Sequence, residues 1–281
     1  MYLRQASAPR FRQDATRWRG WERTRGARDL ARACTELFGG GPLAMRPFQA
    51  GDACSVSVVI PVLNEESRIV DQLQSLSALP RILEVIVVDG GSGDRTVDLV
   101  RAIPRARLLT APAGRASQMN AGARVASGDV LLFLHADVRL PPDAMRWVSE
   151  ALSEPAVVAG AFQTWTVSEG RRIWLGPLLH LADFRSRYSA LPYGDQALFV
   201  RAGVFRQLGG FPDQPLMEDL ELSRRLRRLG TVRIVPAKVR VSGRRFLSRP
   251  VYYALLVNIF PVLYRLGMPS RLLASLYGSP R

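Results

Sequence analysis

Residues 84–94 read EVIVVDGGSGD, an apolar run that ends in an acid and a glycine-rich turn. The β-branched residues before Asp89 favour a buried strand. Three glycines within the next four positions let the backbone adopt positive φ and approach a ligand closely. Asp94 can then cap a helix. The stretch is not the G-x-G-x-x-G dinucleotide-binding motif, because the third glycine of that motif is missing. The acidic residue that binds the ribose further along the chain in that motif is missing too. The stretch therefore predicts one strand–turn–helix unit of an α/β sheet.

The same alternation continues on both sides of this stretch. Before it, residues 55–62 read SVSVVIPV, and Asn64 can cap a helix whose apolar positions recur at helical spacing. After it come further predicted elements: a weak strand at 107–110, a helix at 116–126 stopped by Gly128, a buried strand within 129–135 and a helix opened by Pro141 and Pro142. This order predicts a Rossmann-like, mostly parallel sheet with helices on both faces.

Polar residues follow three of the predicted strands. Ligands of parallel sheets bind outside the carboxyl ends of the strands. These ends carry Asn64-Glu65, Asp89-Gly90-Gly91 and His135-Ala136-Asp137. Each group alone is explained by a helix cap or a turn. Three acid-bearing ends on one rim predict a binding site, and a carboxylate such as Asp137 can hold Mg²⁺ or Mn²⁺ together with substrate phosphates.

A fourth polar cluster lies further along the chain. Gly194-Asp195-Gln196-Ala197 and a Gly209–Pro212 turn precede Met217-Glu218-Asp219-Leu220-Glu221. Apolar spacing then continues through 222–229, which places the acids at the start of an amphipathic helix. Acids are favoured there electrostatically. The alternative is a catalytic role, with Asp219 as a general base near an acceptor hydroxyl.

Length, charge and composition indicate how the chain divides into domains. The chain has 281 residues, a formal net charge of +15 and two cysteines without metal-binding spacing. Residues 1–50 carry ten arginines against four acids and read as a poorly ordered basic arm, with a true start at Met45 as an alternative. We expect neither a signal peptide nor a spanning helix. Residues 51–245 are predicted to form the main domain, followed by an apolar or amphipathic helical segment at 246–281.

The helical segment at 246–281 has two interpretations. Residues 251–266 are apolar and aromatic, and arginines precede them, so they fit the interface of a membrane with anionic lipids. The alternative is a helix that packs in the core or forms a dimer.

The four clusters, in this order and spacing, resemble the inverting family-two glycosyltransferases of the GT-A fold. The resemblance covers residues 55–242. It is closest to the branch labelled radical-SAM/selenodomain-associated transferases, some of which are named as glycosyltransferases of carotenoid acids (diaponeurosporenoate). The stretch GRASQMNAG at 114–122 is typical of that branch, and so is His135-Ala136-Asp137 in place of the usual Asp-x-Asp.

The resemblance implies transfer of a single sugar, with inversion, from a nucleotide-diphosphate sugar such as a UDP-hexose. The acceptor would be a hydroxyl or carboxyl group, of a lipid or carotenoid. Asp219, paired with Glu218, would be the catalytic base, and Asp137 would bind Mg²⁺ or Mn²⁺ and the diphosphate. His135 removes one expected carboxylate, which puts metal dependence in doubt. The other implied donor-binding positions are Pro61, Asn64, Glu65, Asp89, Gly90, Gly91, Arg115, Asn120, His135, Ala136, Arg244 and Arg245.

The processive Gln-x-x-Arg-Trp motif is absent, so a non-processive enzyme is expected. The resemblance and the apolar segment together predict a cytoplasmic protein at the inner face of the cell membrane. A rival interpretation is a nucleotidyltransferase or another nucleotide-sugar enzyme. A rival of another class is a basic nucleic-acid- or membrane-binding protein without catalysis. Because the arginines are spread along the chain, we expect no nucleic-acid partner.

Overall fold

The computed structural model describes residues 54–167, 183, 186, 191–244 and 250–277. The chain divides into two units, residues 1–45 and 46–281, and every described residue belongs to the second. The predicted basic arm at 1–50 lies outside the described residues. So does Arg245, one of the predicted phosphate contacts.

One sheet organises the described part of the chain. Its strand order is β3-β2-β1-β4-β7-β6-β8-β5. Strands β1 to β4 pair in parallel, whereas β7 runs antiparallel to β4 and β6. Strand β8 is parallel to β6 and antiparallel to β5. The strands are β1 Val56–Val62, β2 Ile82–Asp89, β3 Ala106–Thr110, β4 Val130–Phe133, β5 Val138–Arg139, β6 Val157–Val167, β7 Phe199–Arg201 and β8 Thr231–Ser242.

Helices cover both faces of this sheet, as predicted. Side chains of α1 and α4 bury into one apolar core, and those of α3, α5 and α6 into the other. A short 3₁₀ turn, Gly194–Gln196, precedes β7. The helices are α1 Ile69–Ser77, α2 Thr96–Arg101, α3 Arg115–Val125, α4 Ala144–Ser153, α5 Ala202–Gln207, α6 Glu218–Leu229, α7 Pro250–Arg265 and α8 Ser270–Tyr277. The α/β fold class and the mostly parallel sheet are therefore confirmed.

Two residues expected to begin or stop helices have other roles. Asn64 does not cap α1: its φ is 55°, and its Oδ1 accepts a hydrogen bond from the Gly93 N–H at 2.8 Å. Asparagine tolerates this left-handed conformation better than most residues. Gly128 does not cap α3 either. A Cβ there would lie 2.7 Å from Ser57 Oγ, so close contact with β1 requires the glycine.

None of the described helices has the length and apolarity needed to cross a bilayer.

Candidate active site

The loops that follow β1 and β2 are tied together at the rim of the sheet. The Asn64 N–H donates to Ser92 Oγ at 2.9 Å, and the Glu65 N–H donates to Thr96 Oγ1 at 2.8 Å. With the Gly93–Asn64 bond, these contacts join the first two predicted clusters into one edge. Pro61 lies within β1, paired with Val88 of β2.

Asp89 shapes the turn that follows β2. Its buried carboxylate accepts hydrogen bonds from the Gly91 N–H at 2.9 Å, the Ser92 N–H at 3.1 Å and Ser92 Oγ at 2.5 Å. Gly91 has a φ of +97°, and the space where a Cβ would stand holds no atom within 4 Å. The turn thus presents an open backbone surface, wide enough for a base or a ribose to approach. Direct nucleoside contact by Asp89 stays a prediction.

Gln118 holds β1 and β2 together beneath that turn. Its buried Nε2 donates to the carbonyls of Val62 and Val88, both at 2.8 Å. A Cβ at Gly90 would lie 3.0 Å from Gln118 Cδ, so any larger residue at Gly90 would push against the Gln118 amide. Sequence reasoning missed this role, although Gln118 lies inside the quoted GRASQMNAG stretch. The available signal was its position four residues before Gly122, on the helix face that packs against the sheet.

Asn120, predicted to lie near the donor, makes its described contacts elsewhere. Its Nδ2 donates to the Phe211 carbonyl at 2.9 Å, and its Oδ1 accepts from the Phe211 N–H at 2.9 Å. Gly210, with a φ of +82°, leaves the room that this contact needs. The amide of Asn120 therefore fixes the loop that leads towards α6.

Asp137 lies in a turn between β4 and β5. The Val138 N–H donates to the His135 carbonyl at 3.1 Å, and the Ser242 N–H at the end of β8 donates to the Asp137 carbonyl at 3.0 Å. Ala136, between His135 and Asp137, is buried. The carboxylate of Asp137 is half-buried, and no group in the described ranges donates a hydrogen bond to it. Its oxygens are available to a ligand.

Asp219 is oriented by the 3₁₀ turn. The Gly194 N–H donates to Asp219 Oδ2 at 2.5 Å. A Cβ at Gly194 would lie 3.0 Å from His135 Cε1 and 3.2 Å from Asp219 Oδ2, so these two side chains face each other across the glycine. The third and fourth predicted clusters therefore meet. Gly194 was quoted in the sequence but not recognised as part of the site.

Glu218 and Arg115 complete a charged cluster with Asp137 and Asp219. Burial, and then the neighbouring Asp219 charge, raise the pKa of Glu218 to about 7, although Arg115 opposes this. Burial disfavours the charged form of Arg115, but attraction to Glu218, Tyr277, Asp219 and Asp137 raises its pKa overall. All three carboxylates of the rim therefore favour the charged form of Arg115.

Arg244 reaches the same rim from β8. Its Nη2 lies 3.5 Å from Oε1 of Glu65, in an ion pair whose arginine is exposed. The contact joins the loop after β1 to the residues after β8. An exposed arginine at this edge has the charge and geometry to bind a phosphate.

The rim suits a metal that the substrate helps to hold. The described residues contain no group of three or more His, Cys, Asp or Glu side chains arranged to hold a metal ion. Mg²⁺ and its relatives are often held by one or two carboxylates, with substrate phosphates and water as the other ligands. The available carboxylate of Asp137 fits that mode, and a fully protein-built metal centre does not fit this rim.

Two known proteins from bacteria resemble the chain in sequence. Undecaprenyl-phosphate 4-deoxy-4-formamido-L-arabinose transferase of Pseudomonas aeruginosa (strain LESB58) is 32% identical over 142 residues, covering 47% of this chain and 42% of that protein. Probable glycosyltransferase YdaM of Bacillus subtilis (strain 168) is 28% identical over 220 residues, covering 66% and 49%. The chain therefore spans less than half the length of these two relatives.

Solved structures share the fold. S. aureus TarS 1-349 in complex with UDP superposes with a TM-score of 0.54 and 19% identity, covering 73% of this chain and 65% of that one. Mannosyltransferase PcManGT from Pyrobaculum calidifontis, in complex with GDP-Man and Mn²⁺, gives 0.52 and 21%, covering 77% and 64%.

A protein-family model also matches the chain. The model described as "Glycosyl transferase family 2" matches residues 57–208, which is more than half of the chain. Its range includes the loops after β1 and β2, the Asp137 turn and the Gly194 turn. The chain belongs to glycosyl transferase family 2.

Proposed function

We propose that the chain is a non-processive glycosyltransferase that moves one sugar, with inversion, from a UDP-hexose to an acceptor on a lipid. The observation that carries the proposal is the pairing of Asp219 with the Gly194 N–H, on the same rim as the available carboxylate of Asp137. A base for the acceptor and a carboxylate for the donor diphosphate thus share one edge of the sheet.

The donor half of the site is the edge formed by the loops after β1 and β2. Glu65, Asp89 and the open backbone at Gly91 suit a nucleoside, and Arg244 suits a phosphate. UDP is supported by TarS 1-349, a structural neighbour solved with UDP and with UDP-GlcNAc. GDP-mannose, the ligand of PcManGT, is the second candidate.

Asp219 is the proposed catalytic base. One oxygen is oriented by the Gly194 N–H, and the carboxylate accepts the proton of an acceptor hydroxyl as that oxygen attacks the anomeric carbon. A single in-line displacement inverts the anomeric configuration. Arg115 keeps a positive charge among the three carboxylates of the rim, so they can stand close together.

Asp137 would hold Mg²⁺ or Mn²⁺ with the diphosphate oxygens of the donor. Such a metal neutralises charge on the departing nucleoside diphosphate. A Mn²⁺ complex of the neighbour PcManGT supports this use of metal in the fold. His135 stands where a second carboxylate is usual, so we expect weaker metal binding than two carboxylates would give.

The proposed acceptor is lipid-linked. The Pseudomonas relatives are named for transfer to undecaprenyl phosphate, which supports a lipid carrier and a site at the cytoplasmic face of the cell membrane. A carotenoid acid is the second candidate, favoured by the resemblance of residues 114–122 to the radical-SAM-associated branch. A carboxylate or phosphate acceptor is already ionised at neutral pH. Only a hydroxyl acceptor makes Asp219 indispensable as a base.

Replacement of Asp219 tests this assignment. With a hydroxyl acceptor, we expect Asp219→Asn to lower turnover by roughly 10²–10⁴-fold, because the proton then has no acceptor. Calorimetry should show unchanged UDP binding. Asp213→Asn, on an exposed residue of the preceding loop, is the matched control. Near-normal turnover of Asp219→Asn with a hydroxyl acceptor would remove Asp219 from the role of base.

The donor site and the reaction class have separate tests. We expect Mn²⁺ to strengthen UDP binding in the wild type, and Asp137→Ala to abolish that gain. Release of UDP from a UDP-sugar identifies glycosyl transfer, whereas release of pyrophosphate would identify the rival nucleotidyltransferase.

A further inference from the structure

Helices α7 and α8 both carry exposed apolar side chains. On α7 the exposed large side chains recur every three or four residues, so they share one face of the helix. Two more follow at the same spacing on α8. The exposed apolar side chains, which we call the apolar stripe, are Tyr252, Leu255, Ile259 and Val262 on α7, Leu266 directly after α7, and Leu272 and Leu276 on α8.

The stripe is exposed although its two helices are packed against each other. Phe260 of α7 and Leu273 of α8 are buried, and the rings of Tyr253 and Phe260 both contact the ring of Tyr277. The Tyr252 hydroxyl donates to the Leu276 carbonyl at 2.7 Å. Phe260 and Leu273 thus mark an inner side of the helical pair, and Tyr252 lies where the apolar stripe meets α8.

The same helical pair borders the active site. The Tyr264 hydroxyl donates to Gln214 Oε1 at 3.3 Å, in the loop that leads to Glu218 and Asp219. The helical pair therefore contacts the loop that leads to the acids of the rim.

The charge of this region favours an anionic partner. No acid follows Glu221 in the sequence, whereas twelve arginines and Lys238 do. Arg265, the last residue of α7, and Arg271 of α8 are both exposed. Basic side chains near an anionic bilayer are attracted to its negative surface. An anionic bilayer offers both an apolar phase for the stripe and negative headgroups for these arginines.

We propose that the apolar stripe docks the protein onto an anionic membrane, with α7 and α8 lying in the interface. The apolar side chains enter the acyl boundary, and Arg265 and Arg271 stay at the headgroups. Helix α7 has 16 residues, a length of about 24 Å, which is shorter than the roughly 30 Å hydrocarbon core. The proposal rests on the lipid-linked acceptor proposed above and gives the active-site rim a position beside the headgroups.

Vesicle flotation of the full chain tests this proposal. We expect the wild type to float with vesicles of phosphatidylcholine and phosphatidylglycerol, and to float far less with phosphatidylcholine alone. Leu255→Gln with Ile259→Gln should weaken flotation by about a hundredfold or more, since two buried aliphatic side chains are lost. Leu83→Gln is the matched control, because Leu83 and Leu255 are both 54% exposed. Unchanged flotation of the double variant would overturn the proposal.

A second double variant tests the proposal even if Leu255→Gln with Ile259→Gln fails to fold. Arg265→Gln with Arg271→Gln changes only exposed side chains. It should reduce flotation with the anionic vesicles and leave the melting temperature unchanged. If it floats like the wild type, the charge argument fails.

Two further measurements separate this proposal from its rivals. Light scattering reports the oligomeric state: a wild-type dimer that Leu255→Gln with Ile259→Gln turns into a monomer would assign the stripe to a second copy of the chain, against the proposal. Calorimetry of UDP without lipid reports the donor site. Normal UDP binding without flotation refutes the membrane surface alone, whereas flotation without UDP binding refutes the proposed function alone.

Discussion

Glu218 makes the stability of the folded protein depend on pH, and a single substitution can measure this dependence. Its pKa is raised from 4.5 to about 7 in the folded protein, by burial first and then by the Asp219 charge. The folded state therefore holds a proton that the unfolded chain releases near its ordinary pKa. The stability contributed by Glu218 is complete below about pH 4.5 and is lost as the pH rises through about 7.

Glu218→Gln cannot ionise, so it should not lose this stability. From about pH 4.5 to about pH 8, we expect the variant to gain on the wild type by about 3 kcal/mol in the free energy of unfolding. Urea denaturation across that range measures the difference. Glu150→Gln, at an exposed position on α4, should show no such trend. A constant difference between Glu218→Gln and the wild type would show that Glu218 ionises alike in both states.

Gly194 carries a second prediction at the scale of single residues, which concerns the kcat of Gly194→Ala. A Cβ there would stand 3.0 Å from His135 and 3.2 Å from Asp219, so Gly194→Ala must displace one of them. We expect kcat to fall roughly tenfold, because catalysis depends on the position of Asp219 and a small shift of its carboxylate misaligns it. UDP binding should change little.

Gly203→Ala is the control for Gly194→Ala, because a Cβ at Gly203 in α5 meets nothing within 4 Å. It should keep full activity and stabilise the helix by about 0.5–1 kcal/mol. Equal kcat values for the two variants would contradict the positioning role of Gly194.

At the scale of elements, α3 joins the first two strands through one side chain. Gln118 satisfies the carbonyls of Val62 and Val88 at the rim. Gln118→Ala leaves both buried acceptors with one partner fewer, so we expect a loss of about 2–3 kcal/mol in stability. Because the same contact supports the turn at Gly90, UDP binding should also weaken.

Thermal unfolding and UDP calorimetry measure the two effects of Gln118→Ala. Gln74→Ala, at an exposed position on α1, is the matched control and should stay within about 0.5 kcal/mol of the wild type. A stability loss with normal UDP affinity would mean that Gln118 supports the fold but not the donor edge.

At the scale of the molecule, the sequence predicted the parallel half of the fold and the rim. The parallel strands, such as β2, are runs rich in β-branched residues. Because the carboxyl ends of parallel strands lie at one edge of the sheet, Asp89 and Asp137 could be predicted to lie at the same edge. The long strands β6 and β8 were not predicted. Strands β5 and β7 escaped prediction because they have two and three residues, too few to show a period. Their antiparallel pairing depends on partners far along the chain.

Sequence alone predicted the site residues whose chemistry belongs to their residue type. It did not predict the residues whose role depends on a contact that forms only in the folded protein. The acids of the rim could be recognised from their positions after strands. Gly194 and Gln118 could not, because their roles depend on partners such as His135 and Val62, which the fold brings close. Asn64 is the opposite case, because its residue type suggested a role that it does not have. Asparagine suits a helix cap, but Asn64 adopts a left-handed backbone conformation in a turn.

The attachment of Asp137 to β8 has a consequence for the order of events during synthesis. The Asp137 turn is held by the Ser242 N–H and by the pairing of β5 with β8, which begins at Thr231. Strands β1 to β4 can pair while the rest of the nascent chain is still on the ribosome. Asp137, the carboxylate proposed for the donor diphosphate, takes its final position only after the last strand has emerged, so we expect a shortened chain to lack a complete site.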